Sequence, residues 1–110
     1  MEGDFKSVAA TAGYWDDKLY AWCTVYEPKE EILEISVLFT GDIIPAIENL
    51  AQEIFNKKLH PIFDQKFAPE EFFPLNKNEI DYLSAKWHYL MGVTTKKEVE
   101  NSLQRLLEDN

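Results

Sequence analysis

Leu19-Tyr20-Ala21-Trp22-Cys23-Thr24-Val25-Tyr26 and, after the interval Glu27 to Glu31, Ile32-Leu33-Glu34-Ile35-Ser36-Val37-Leu38-Phe39 decide the fold of this chain. Both segments are rich in aromatic and β-branched residues, the composition of strands. Between them Glu27-Pro28-Lys29-Glu30 supplies a turn, because Pro28 presets φ for the first central position. A β-hairpin over 19–39 follows.

Loop length decides which face of that hairpin is buried. With Pro28 and Lys29 as the two loop residues, Val25 pairs with Ile32 and Trp22 with Ile35. Tyr20, Trp22 and Thr24 then share a strongly apolar face with Leu33, Ile35 and Val37. Ala21, Cys23, Glu34 and Ser36 make a thin, half-polar opposite face. A change of one residue in the loop sets the aromatics beside Glu34 and Ser36 instead, since side chains alternate with period two. The first register is the one expected, because large aromatics dominate core energetics and seldom stand exposed in a row.

Outward from the hairpin, Phe5 to Tyr14 alternates well enough for a third, N-terminal strand, with Gly13-Tyr14-Trp15-Asp16-Asp17-Lys18 as its connection. Downstream, Ile43, Ile47, Leu50, Ala51 and Ile54 recur at helical spacing, Pro45 falls in the first turn, and His60-Pro61 stops a helix over about 43–59. His60 reads as a cap at its C-terminus. Asn78 caps a second helix over about 78–91 that carries Ile80, Leu83, Trp87, Leu90 and Met91 inward, and Gly92 ends it. Thr95-Lys96-Lys97-Glu98 is a capping box that opens a third helix over about 95–107. Between Pro61 and Lys77 lie three prolines and four phenylalanines, a connection long enough to be either partly helical or functional. The expected fold is one α+β domain over 1–110, a small antiparallel sheet packed against three helices.

Twenty acidic against eleven basic residues leave a formal net charge of −9. Such a surface repels nucleic acid and anionic membrane and favours cationic partners. The excess is concentrated on the sheet side, with eight acids and three bases in residues 1–40 against six and five in 76–110. No apolar run reaches the roughly 18 residues of a membrane span, and Met1-Glu2-Gly3-Asp4 is acidic where a secretion signal is basic, so a cytoplasmic location is expected. The helical hairpin at the C-terminal end resembles a DNA-reading helix-turn-helix only in outline. Glu98, Glu100, Glu108 and Asp109 offset Lys96, Lys97 and Arg105 where a recognition helix faces phosphate.

Catalytic signatures are missing. The chain has no Gly-rich phosphate loop, no Gly-x-Ser-x-Gly elbow and no His-Glu-x-x-His pair. Cys23, the single cysteine, lies in mid-strand and reads as a buried, inert thiol. His60 and Asp64 stand four apart, but Pro61 breaks the helical face that would align them on a metal. Neither an enzyme nor a cofactor or metal site is expected.

In size, acidity and lack of catalytic motifs the chain is similar to small bacterial immunity or inhibitor proteins, whose acidic faces neutralise a basic toxin, often a nuclease. The likeness is one of kind and covers no motif. It implies a stoichiometric, non-enzymatic binder of a basic protein, steered by charge and held by a few aromatics. The candidate contact residues are Tyr14, Trp15, Asp16 and Asp17 in the first connection, Glu27, Glu30 and Glu31 in the hairpin loop, and Glu70 and Glu71 in the phenylalanine-rich stretch. Two other functions fit the same composition. One is a homo-oligomeric structural or adaptor domain, a homodimer being the simplest case, in which the thin hairpin face or the N-terminal strand pairs with its copy. The other is a small-molecule binder or enzyme with a pocket between sheet and helices near Trp22 and Trp87.

Overall fold

The computed structural model describes residues 5–25, 30–65 and 71–108. It has an α+β fold in which one mixed sheet carries β1 (Lys6–Trp15), β2 (Lys18–Val25), β3 (Glu31–Leu38), β4 (Leu59–Phe63) and the short β5 (Phe73–Pro74). The helices are α1 (Ile43–Asn56), α2 (Lys77–Met91) and α3 (Lys96–Glu108).

The strand order is β3-β2-β1-β4, with β5 also paired to β1. The N-terminal strand exists as expected, but it lies inside the sheet, bonded on both sides, so it offers no edge to a second copy. It runs on to Trp15, and Asp16-Asp17 alone turn it into β2, Asp16 at φ 58, a left-handed conformation that Asp tolerates better than most residues. The sheet is not purely antiparallel. α1 carries the chain from the β3 edge across β2 and β1, and β4 then pairs with β1 in parallel, the direction that a helical crossover imposes. Pro61, which lacks an N–H, is accommodated because β4 is an edge strand.

The hairpin register is the opposite of the one expected. Val25 pairs with Glu31, Ala21 with Ile35, and Trp22 with Glu34. Five residues, 26–30, therefore separate the paired strands. The expected Pro28-Lys29 turn falls outside the described residues, as does Glu27. The face that meets the helices is formed by Val8, Ala10 and Ala12 of β1, Leu19, Ala21 and Cys23 of β2, and Leu33, Ile35 and Val37 of β3. Small side chains at its centre let α1 approach closely, and Ile47, Leu50 and Ile54 of α1, each fully buried, supply the volume. Indoles in those positions would hold the helix away from the sheet.

α1 starts at Asp42, whose Oδ1 accepts from Ile44 N at 3.1 Å, and Pro45 occupies its first turn. It ends at Asn56, three residues before the expected limit. Lys58, at φ 58, reverses the chain, so Leu59 and His60 belong to β4. His60 is therefore no helix cap. Its ring stacks on the buried Trp87 of α2 with centroids 4.7 Å apart. The N-cap of α2 is Asn76 rather than Asn78. Asn76 Oδ1 accepts from Glu79 N and Glu79 Oε1 accepts from Asn76 N, both at 2.9 Å, a reciprocal box that starts the helix at Lys77. Gly92, at φ 82, closes it. Thr95 caps α3 as expected, Glu98 N donating to its Oγ1 at 3.3 Å, and the helix runs from Lys96 to Glu108. α1 lies on the sheet, α2 on α1 and α3 on α2.

Two buried acids tie this core to pH. Burial pushes the Cys23 thiol up from 9.0 to about 11. Burial also raises the Tyr82 phenol well above 10.0, helped by Glu48, whose Oε2 accepts its hydrogen bond at 2.6 Å. Both groups hold their proton more tightly folded than unfolded. Their contribution is thus complete below pH 9 and is lost as pH rises, through Cys23 between 9.0 and about 11 and through Tyr82 from 10.0 upward. Urea midpoints are expected to be level up to about pH 8.5 and to fall above it, each group removing at most about 1.4 kcal/mol per pH unit. Cys23→Ala should flatten the first part of that fall; an equal slope in the variant would assign it elsewhere.

Candidate functional site

The face of the sheet turned away from the helices carries four of the eight large apolar side chains exposed among the described residues. Tyr20 and Trp22 stand two apart on β2 and therefore on one side, and their rings stack with centroids 5.4 Å apart and planes within 4°. Phe72 leans over them edge-on, 5.1 Å from Tyr20 and 4.5 Å from Trp22, and also touches Trp15. Around this cluster Trp15 (46% exposed), Ile32 (61%), Leu38 (63%) and Ile62 (60%) stand in solvent. By strand alternation all four belong to this face. Monomeric proteins seldom group large apolar side chains in this way without a use for them. Glu34 lies directly across from Trp22, and Ser36 across from Tyr20.

Phe72 is delivered by a side chain that imitates a strand. β4 bonds β1 as far as Ala10, and β5 bonds it at Gly13 and Tyr14. In the gap, Gln65 Oε1 accepts from Ala12 N at 2.9 Å, while Gln65 Nε2 donates to Ala12 O at 2.6 Å and to Leu75 O at 3.1 Å. Thr11 Oγ1 donates to Asp64 O at 2.8 Å. These bonds pin both ends of the segment that carries Phe72. Gly13 permits the close passage of β5, since a Cβ there would sit 2.9 Å from Phe73 O.

Beside Trp22 the face sinks into an open trough of about 300 Å³. Ala9, Thr11 and Thr24 floor it, and Trp22 and Ile32 wall it. Glu30 and Asp64 also line it, and no lysine or arginine is among the described residues that do. The trough lies on the helix-free side. Trp87, by contrast, is buried in the helix-side core against Phe5 and His60, so the expected pocket shared by Trp22 and Trp87 does not form.

The candidate contact residues divide accordingly. Trp15 is on the aromatic face; Asp16 and Asp17 are exposed at its tip, where Asp17 O also accepts from Phe39 N at 2.7 Å. Tyr14 faces the other way and is partly buried between Phe39 and Phe73, so it does not belong to the aromatic face. Glu30 lines the trough. Glu31, opposite Val25, is exposed at the helix-side margin, and Glu71 is exposed beside Phe72. Glu70, like Glu27, lies outside the described residues. Tyr20, Trp22, Glu34 and Phe72 belong to the face although the sequence placed the first two in the core. The run Glu27-Pro28-Lys29-Glu30-Glu31, four charged residues and a proline, was the available signal, since it suits a connection longer than two residues.

The aromatic face offers ring stacking and apolar contact to whatever meets it. Cys23 points into the core, fully buried and held protonated. Among the described residues no three His, Cys, Asp or Glu side chains gather as a metal site would require, and no helix is long and apolar enough to cross a membrane. Comparison with protein-family models, with curated proteins and with solved structures yields no match.

Proposed function

We propose that this chain is a non-enzymatic, protein-binding inhibitor that occludes a basic partner, most concretely an immunity protein set against a nuclease-like toxin, and that it works in the cytoplasm. The observation that carries this is the aromatic face: Trp15, Tyr20 and Trp22 gathered on Phe72, with Glu34 and Glu30 beside them and Asp16-Asp17 at its tip. Rigid aromatics of this kind supply the slow dissociation of an interface, and a net charge of −9 supplies fast encounter with a cation.

Capture from native lysate at low salt, followed by a salt step, is expected to release one basic protein at equal stoichiometry. Asp17→Lys with Glu34→Lys is then expected to slow association severalfold at low salt and to leave dissociation nearly unchanged. Asp16 is left alone in that test because its φ of 58 would strain lysine. An unchanged association rate would take this face out of the interface, and a lysate that yields only the bait would count against an inhibitor.

The edge of β3 favours a second reading, a homodimer. Its outer side has no strand partner among the described residues. Antiparallel self-pairing centred on Ile35 would set Ile32 against the copy's Leu38 and Glu34 against its Ser36, avoiding like charges. A sedimentation profile independent of concentration removes it.

A further inference from the structure

Resting on the inhibitor reading, we infer that the trough beside Trp22 is a slot for one arginine side chain of the basic partner. Along β2, side chains of one face follow each other at about 6.6–6.8 Å, and Tyr20 and Trp22 fill two successive places with near-parallel rings whose centroids are 5.4 Å apart. The third place belongs to Thr24, which is too small to continue the stack, and the trough opens there. Tyr20 covers one ring face of Trp22. Trp22 lines the trough together with Thr24, so indole surface is open to a guest there.

A planar cation fits that vacancy as the third plate. Guanidinium stacks on indole through both cation–π attraction and its flat, weakly hydrated surface, which the tetrahedral ammonium of lysine lacks. Phe72 and Tyr20 hold the Trp22 ring, so little side-chain freedom is lost on binding. The charge of the surroundings matches: Glu30 and Asp64 line the trough, and Glu34 stands across from Trp22. Glu30, exposed and part of the lining, has a carboxylate able to accept paired N–H donors. Thr11 and Ala9 leave room beneath the guest, and Ile32 covers its methylene stem.

The test needs no partner protein. The full ¹⁵N-labelled chain is titrated with Nα-acetyl-argininamide, using the neutral isostere Nα-acetyl-citrullinamide as control. A saturable shift of the Trp22 indole N–H and the Thr24 amide is expected with the arginine derivative, and binding at least about fivefold weaker with citrulline. Thr24→Tyr, which fills the third place, should abolish the shift. Should that variant fail to fold, Glu30→Gln, at an exposed position, serves instead and should weaken binding severalfold.

Equal response to the two probes, shifts confined to Trp15 or Trp87, or a response that survives both variants overturns the slot. The inhibitor reading fails separately. A basic protein retained equally by the native chain and by Thr24→Tyr removes the slot and keeps the inhibitor, whereas a working slot with no basic protein retained does the reverse.

Discussion

Leu50→Ala is expected to lower the free energy of unfolding by about 2–5 kcal/mol, and Trp22→Ser, which deletes a larger side chain, by only about 1 kcal/mol. Leu50 has no exposed surface and sits on α1 where that helix meets the sheet. Truncating it removes buried methyl groups and leaves a cavity in a close-packed core. Trp22 is partly exposed on the opposite face, and its loss forfeits the ring contacts with Tyr20 and Phe72 without opening the core. Paired urea denaturations read the difference directly. The reverse ranking would mean that the aromatic face is the core and that the hairpin pairs in the other register.

Gln65→Leu is expected to cost about 2–4 kcal/mol, an amount ordinarily associated with core positions. Leucine matches the side chain in size but can neither accept nor donate. Ala12 is fully buried, so its N–H would be left without the partner that Gln65 Oε1 provides, at about 1–3 kcal/mol for the orphaned donor alone. The two bonds from Gln65 Nε2 to Ala12 O and Leu75 O would go as well. Hydrogen exchange at the Ala12 amide is expected to accelerate along with the loss of stability. Gln65→Glu separates the roles, because it keeps an acceptor for Ala12 N–H but turns a carboxylate toward two carbonyl oxygens. It should be as damaging at neutral pH and partly recover in acid. A loss of less than about 0.5 kcal/mol in Gln65→Leu would show that β1 does not depend on this amide.

Local signals in the sequence located nearly every element, and what they could not locate depended on partners distant in the chain. Helical spacing from Ile43 to Ile54 and the Thr95–Glu98 box mark α1 and α3 because caps and stripes are written within a few residues. β4 was hidden for the opposite reason. Pro61 disqualifies Leu59–Phe63 as a strand by local rules, and only its place at the sheet edge, set by the pairing of Lys6 with Leu59, makes it one. Asn78 and Asn76 are equally good caps by type, and the side chain of Glu79 selects the second.

The candidate face suffered more, since one residue of loop length transfers every side chain of a hairpin from one side to the other. Alternation correctly grouped Tyr20 with Trp22. It could not say whether α1 would rest on those rings or on Ala21 and Cys23, a choice that turns on how near a helix can come to a sheet. Phe72 and Gln65 reach the face through contacts with residues some fifty positions earlier in the chain, which no local pattern records.

The interior position of β1 also sets the order in which a newly made chain can complete itself. Residues 6–38 form a meander of neighbouring strands and can pair as soon as they leave the ribosome. The second edge of β1 is then still open, because its partners begin at Leu59 and end at Pro74, on the far side of α1. Closing that gap brings together segments separated by more than fifty residues, a step governed by chain diffusion rather than by local propensity. The first strand of this sheet to be synthesised is among the last to be finished. Until it is, an apolar strand edge stands exposed, and nascent chains between residues 38 and 74 are the species most prone to stick to one another.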